Sequence, residues 1–109
     1  MPALKSYSLF LGARNDPARG RFRAADELAV QRITAKHFPD GFTILEATGG
    51  WYDPAARRFR KEDSRQVLIT TSRPAKLRAW CGDLGRALRQ KQLLVVETGP
   101  ARWFNPGRG

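Results

Sequence analysis

The chain has 109 residues, 41% hydrophobic and with eleven aromatics, which excludes disorder and fits a single domain. Twenty Lys and Arg face ten Asp and Glu, for a net charge of +10, and Arg outnumbers Lys fifteen to five, favouring planar recognition of phosphate or carboxylate. One cysteine excludes an internal disulfide and a metal site of paired thiolates, and no apolar run approaches the ~20 residues that cross a bilayer.

The start, Met1-Pro2-Ala3-Leu4-Lys5-Ser6-Tyr7, shows no secretory leader, so a cytoplasmic protein with no membrane contact is expected. Tyr7–Leu11 reads as a first strand closed by Gly12. Turn formers at Asn15-Asp16-Pro17 and Gly20 make a loop of Arg14–Arg23. Ala24–Phe38 reads as a helix facing inward through Ala25, Leu28, Ala29 and Ile33, with Asp26 and Glu27 complementing its dipole. Pro39-Asp40-Gly41 ends it. Phe42–Ala47 is a second strand, loosened at Gly49-Gly50 and resumed at Trp51-Tyr52; Gln66–Thr71 is a third.

Ser72 as N-cap with Pro74 in the first turn opens a second helix. Its apolar stripe is Leu77, Trp80, Cys81, Leu84 and Leu88, and the face must hold it despite Gly82 and Gly85. Leu93–Thr98 is the last strand, stopped at Gly99-Pro100. The order strand, helix, strand, strand, helix, strand predicts a ferredoxin-like α+β sandwich: a four-stranded antiparallel sheet with two helices on one face. It spans residues 1–104, with 105–109 as a flexible tail.

Between the second and third strands runs Asp53-Pro54-Ala55-Ala56-Arg57-Arg58-Phe59-Arg60-Lys61-Glu62-Asp63-Ser64-Arg65, a charged excursion expected to protrude as a hairpin. In this topology it leaves the same end of the sheet as the first loop and the C-terminus of the second helix. Twelve of the twenty cations then converge: Arg14, Arg19, Arg21 and Arg23; Arg57, Arg58, Arg60, Lys61 and Arg65; Arg86, Arg89 and Lys91. Such an excess steers anionic partners. Phe22, Phe59, Trp51 and Tyr52 are interleaved with these cations as candidate stacking surfaces for bases. The alternative is that they cap the core, which the strand position favours for Trp51 and Tyr52.

The sheet is apolar in both phases: Phe10 and Leu45 oppose Leu9, Leu11 and Ile44, and the last two strands do not alternate. The helix-free face is therefore expected to be covered, most simply by a second copy in a twofold dimer. The other available cover is the Trp103-Phe104 tail.

No catalytic residue, metal or cofactor is called for. His37, the one histidine, reads as a C-terminal capping or surface residue, and Cys81 as a buried, inert thiol. For Glu46, Glu97 and Asp53 the expectation is pairing with arginine, and the alternative is a carboxylate pair.

Ser8-Leu9-Phe10-Leu11-Gly12-Ala13 resembles the first motif of an RNA-recognition domain. The third strand, Arg65–Thr71, carries no aromatic, so the base-stacking platform is missing and that assignment fails. A wider likeness runs from Tyr7 to Phe104. His37-Phe38-Pro39-Asp40-Gly41-Phe42-Thr43-Ile44-Leu45-Glu46-Ala47, then Gly50-Trp51-Tyr52-Asp53-Pro54 and the return at Gln66-Val67-Leu68-Ile69, is similar to a family of small bacterial proteins of unknown function. Many of its members carry an export leader. The resemblance implies one compact α+β domain and no activity.

Three functions fit this reading. The first is a non-enzymatic basic module whose arginine-rich end contacts nucleic acid or another polyanion. The second is an inhibitor or interaction module docking on an acidic protein surface. The third is a small-molecule-binding or oxygenase-like dimer, with its ligand between sheet and helices around Trp51, Tyr52 and Trp80.

Overall fold

The computed structural model describes residues 3–13 and 21–107. Their order is β1 (Lys5–Gly12), α1 (Ala24–His37), β2 (Thr43–Asp53), β3 (Arg58–Thr71), α2 (Ala75–Leu88) and β4 (Leu94–Pro100). The strands pair antiparallel in one sheet, β2-β3-β1-β4. Each helix crosses between strands that run parallel, and both pack on one face: the ferredoxin-like sandwich that the element order predicts.

Strand periodicity sends Tyr7, Leu9 and Leu11 of β1 and Val67 and Ile69 of β3 to the same side. There they meet Trp80, Leu84 and Leu88 of α2, with Val30 and Phe38 completing the core. The α2 stripe holds as expected. The α1 face holds at Ile33, which packs against the core, but not at Ala25 or Leu28. Leu28 is exposed, and Val30 and Thr34 are buried instead. The cause is a buried polar contact: the Trp80 indole Nε1–H donates to Thr34 Oγ1 at 3.0 Å. A threonine at the centre of the face hides it from any apolar count. Phe38 adds an edge-to-face contact with Trp80 at 5.1 Å. Trp80→Phe should cost about 1–3 kcal/mol in urea unfolding, because the Thr34 hydroxyl loses its donor. Adding Thr34→Val should recover part of that loss, and strict additivity would deny the coupling.

The strands outrun their expected limits. β4 continues through Pro100, which pairs with Lys5; at a sheet edge the missing N–H is tolerated. Ser72 does not cap α2. Pro74 stands at that position, and Thr71 Oγ1 accepts the Arg73 N–H at 3.0 Å. Most consequential is the hairpin. β2 runs unbroken through Gly49-Gly50, and β3 begins at Arg58 rather than Gln66. β1 stops pairing at Gly12↔Ser64, while β2 and β3 stay paired for six further steps, from Thr48↔Asp63 to Asp53↔Arg58. Those steps form a free two-stranded ribbon projecting roughly 20 Å beyond the sheet. The molecule accordingly measures 57 × 25 × 23 Å. Among the described residues, no helix is long and apolar enough to cross a membrane.

Candidate polyanion-binding site

The ribbon is closed by Pro54-Ala55-Ala56-Arg57, and Asp53 organises the turn. Its Oδ1 accepts the backbone N–H groups of Ala55 at 3.0 Å and Ala56 at 3.2 Å. Its Oδ2 accepts Arg60 Nε at 3.0 Å. The Ala56 amide, then Arg60, hold the Asp53 carboxyl below its ordinary range. Arg60 is thereby partly neutralised, whereas Arg57, Arg58 and Lys61 stand exposed.

Arg57 has φ 54°, and Arg89 at the end of α2 has φ 56°; among the described residues these are the two non-glycine residues with positive φ. Glycine is the residue such positions favour, and a side chain there costs about 1–2 kcal/mol. Both positions instead carry exposed arginine.

Alternation along the ribbon sorts its side chains. Tyr52 and Phe59 are cross-strand partners, edge to face at 5.3 Å, on the same face as Lys61. They are 51% and 76% exposed. Trp51 lies opposite Arg60 on the other face and is also exposed. The core position expected for Trp51 and Tyr52 is thus not taken. The pairing carries them beyond β1 and beyond both helices.

Phe22 takes the other course. It packs against the core, with the Arg65 guanidinium 4.8 Å from its ring centroid. Arg65 itself is only 5% exposed, because its place on β3 is in phase with Val67 and Ile69. Its charge is held inside by Asp63 at 2.6 Å and by the Glu27 carboxylate of α1, and Glu46 lies 3.9 Å away. Burial opposes the Arg65 charge, but Asp63 and Glu27 outweigh it and raise its pKa. Neither Phe22 nor Arg65 is presented to a partner.

The remaining cations gather at the base. Arg21 and Arg23 are exposed beside Phe22, whose N–H donates to Asp63 Oδ2 at 3.0 Å. The end of α2 arrives there too, Gln90 Nε2 donating to the Gly12 carbonyl at 2.6 Å. It brings exposed Arg86, Arg89 and Lys91, with Arg86 bound to Asp83 at 2.5 Å. Arg14 and Arg19 lie outside the described residues. Among the described residues, Arg21, Arg23 and the end of α2 lie at the end of the sheet from which the ribbon leaves. With the ribbon cations they form a tip and a shoulder separated by the ribbon's length, not one continuous patch.

Other residues settle into structural work. His37 bridges the helices, its Nε2 2.7 Å from Asp83 Oδ2, with Lys36 3.7 Å from the same oxygen. Glu97 pairs with Lys5 at 3.6 Å. Cys81 is half-buried rather than buried, and that burial raises its thiol above the ordinary value. Trp80 is wholly buried while Trp51 and Tyr52 are out on the ribbon, so the ligand space expected between them does not form.

Three aspartates titrate below their ordinary range. The Asp83 carboxyl is lowered first by His37 and then by Arg86; for Asp63, burial is outweighed by Arg65 and the Phe22 amide; Asp53 is lowered as above. A carboxyl depressed in the folded state stabilises it above the unfolded pKa, about 3.9, and that contribution disappears as pH falls through the folded value. Stability should therefore drop steeply below about pH 4. Asp83→Asn should flatten that part of the profile, in urea midpoints read at successive pH values. An unchanged profile would remove Asp83 from the account.

The same architecture occurs in solved structures. A phage SAM lyase in complex with S-methyl-5'-thioadenosine matches at 16% identity and TM-score 0.60, covering 95% of this chain and 94% of the lyase. CutA from Synechococcus elongatus matches at 13% identity and TM-score 0.56, covering 93% and 81%. The GlnK–ATP complex of B. subtilis matches at 10% identity and TM-score 0.53, covering 85% and 82%. At these identities the likeness is one of fold. No curated protein matches the chain. A family model does, over residues 7–92, and with most of its length accounted for the chain belongs to the family described as "Protein of unknown function (DUF3574)".

Proposed function

We propose that this protein is a non-enzymatic polyanion-binding module of the cytoplasm, with the β2–β3 ribbon as its contact element and nucleic acid as its partner. One observation carries the reading: exposed Arg57, Arg58 and Lys61 sit with an exposed Tyr52–Phe59 pair on a ribbon clear of the core. A two-stranded ribbon is narrow enough for a major groove, and ribbons of this kind serve as DNA readers. Arginine at the strained position 57 supports the same reading, since a turn selected for folding alone would favour glycine. The shoulder cations Arg21, Arg23, Arg86, Arg89 and Lys91 add a second contact to a long partner. Retention on heparin and on a labelled oligonucleotide at ~0.15 M salt is the expected result. Absence of binding at any salt concentration would reject the proposal. A nuclease-resistant protein partner would transfer the ribbon to an acidic protein surface.

The working unit in this proposal is a dimer through the helix-free sheet face. Phe10, Leu45, Leu94 and Val96 lie there, between 40% and 62% exposed, and Trp103 and Phe104 are too exposed to be their cover. The positions of that face across the four paired strands, from Ser6, Ser8 and Phe10 to Gln66, Leu68 and Thr70, include no charged residue until Glu62 and Arg60 on the ribbon. Sedimentation should show a dimer at micromolar concentration and a monomer for Leu94→Asp. A wild-type monomer at ~100 µM would exclude this mode of pairing.

A further inference from the structure

A cleft of about 410 Å³ opens at the end of the sheet opposite the ribbon, between the end of α1 and the start of α2. That volume lies within the roughly 300–1,000 Å³ of small-ligand sites. The turn Phe38-Pro39-Asp40-Gly41, which the polyanion reading leaves unused, forms one wall. Phe38 is buried and fixes the turn, its carbonyl accepting the Gly41 N–H at 3.3 Å. Gly41 has φ 146°, and a Cβ there would meet nothing within 4 Å, so backbone conformation rather than crowding calls for glycine. The turn thereby presents Asp40, exposed and in no ion pair with a described residue. Two cations line the same cleft. Arg73 is exposed, and its guanidinium has no partner among the described residues. Lys76 Nζ donates to the His37 carbonyl at 3.2 Å, a neutral acceptor that holds the ammonium in place without cancelling its charge. Trp103, 78% exposed, adds an indole ring.

We infer that this cleft is a binding site for a ribonucleoside monophosphate. The two cations match a phosphate group: a guanidinium fork takes its oxygens in pairs, and an ammonium adds a further charged donor. An ionised carboxylate only accepts, and ribose hydroxyls are the donors that such carboxylates take in nucleotide sites. The indole face gives the planar base a stacking surface. A bare inorganic anion would leave Asp40 and Trp103 unused. Asp40 also offsets one of the two cations, which suits a single phosphate rather than a strand of them. Asp40, Arg73, Lys76 and Trp103 lie in turns, on α2 and after β4, none of them on the strands of the helix-free face. The cleft is therefore a separate site, and it depends on neither the ribbon nor the dimer.

Calorimetry with adenosine monophosphate, its deoxyribose counterpart and adenosine tests the assignment. The wild-type protein should bind the monophosphate at least about tenfold more tightly than adenosine. It should favour ribose over deoxyribose by about fivefold. Arg73→Gln with Lys76→Gln should bring the monophosphate and adenosine level. Asp40→Ala, at an exposed position, should remove the preference for ribose and keep the preference for phosphate. Alanine at Arg57, Arg58 and Lys61 should leave all three affinities unchanged, whatever it does to the binding of an oligonucleotide. Equal binding of adenosine and its monophosphate by the wild-type protein, or a phosphate preference surviving the loss of Arg73 and Lys76, would overturn the site. A ribose preference that is absent, or that outlasts Asp40→Ala, would do the same, as would loss of monophosphate binding in the ribbon variant.

Discussion

Replacing Arg57, Arg58 and Lys61 together by alanine should make the fall of log K with log salt shallower by about 2.7, at roughly 0.9 for each phosphate no longer neutralised. Three such phosphates correspond to about a 40-fold fall in affinity between about 50 and 200 mM salt, a fall the variant should no longer show. The side chains are exposed and lie beyond the core, so folding stability should move by no more than about 0.5 kcal/mol. Fluorescence anisotropy of a labelled duplex across a salt series reads the slope directly. The shoulder set, Arg86, Arg89 and Lys91 to alanine, is the internal comparison. A smaller change there is expected if the ribbon makes the primary contact. An unchanged slope in the ribbon variant would end the proposal, because no other cluster among the described residues stands so far clear of the core.

Arg65→Ala should act in the opposite way. Arg65 lies in the same run of sequence, yet its guanidinium is buried against Phe22 and shared by Asp63 and Glu27. Removing it leaves half-buried carboxylates without their counter-charge, at a cost of about 3–5 kcal/mol. That is a large share of the roughly 5–15 kcal/mol that stabilises a domain. Urea unfolding should show the loss, and variants of the ribbon cations should not. If Arg65→Ala unfolds at the wild-type midpoint, the buried network is not what ties α1 to β3.

These contrasting expectations mark how far the sequence could be read. Element order alone pointed to the sandwich, since the spacing of strands and helices admits few arrangements. The α2 stripe was legible because every position on it is apolar or nearly so. The α1 face was not, because Thr34 fills a core position through a hydrogen bond made 46 residues away. Phase along β3 did hold a clue to Arg65, two residues from Val67 and in step with it. Among so many arginines it carried no mark of its own.

Composition and local pattern thus determined the fold class, the excess of positive charge and the end of the sheet where it collects. Those are properties of order and count. Tertiary structure decided which charges are exposed. Strand register lifted Arg57, Arg58 and Lys61 away from the core while turning Arg65 into it, and a side chain's face follows pairing that no local stretch encodes.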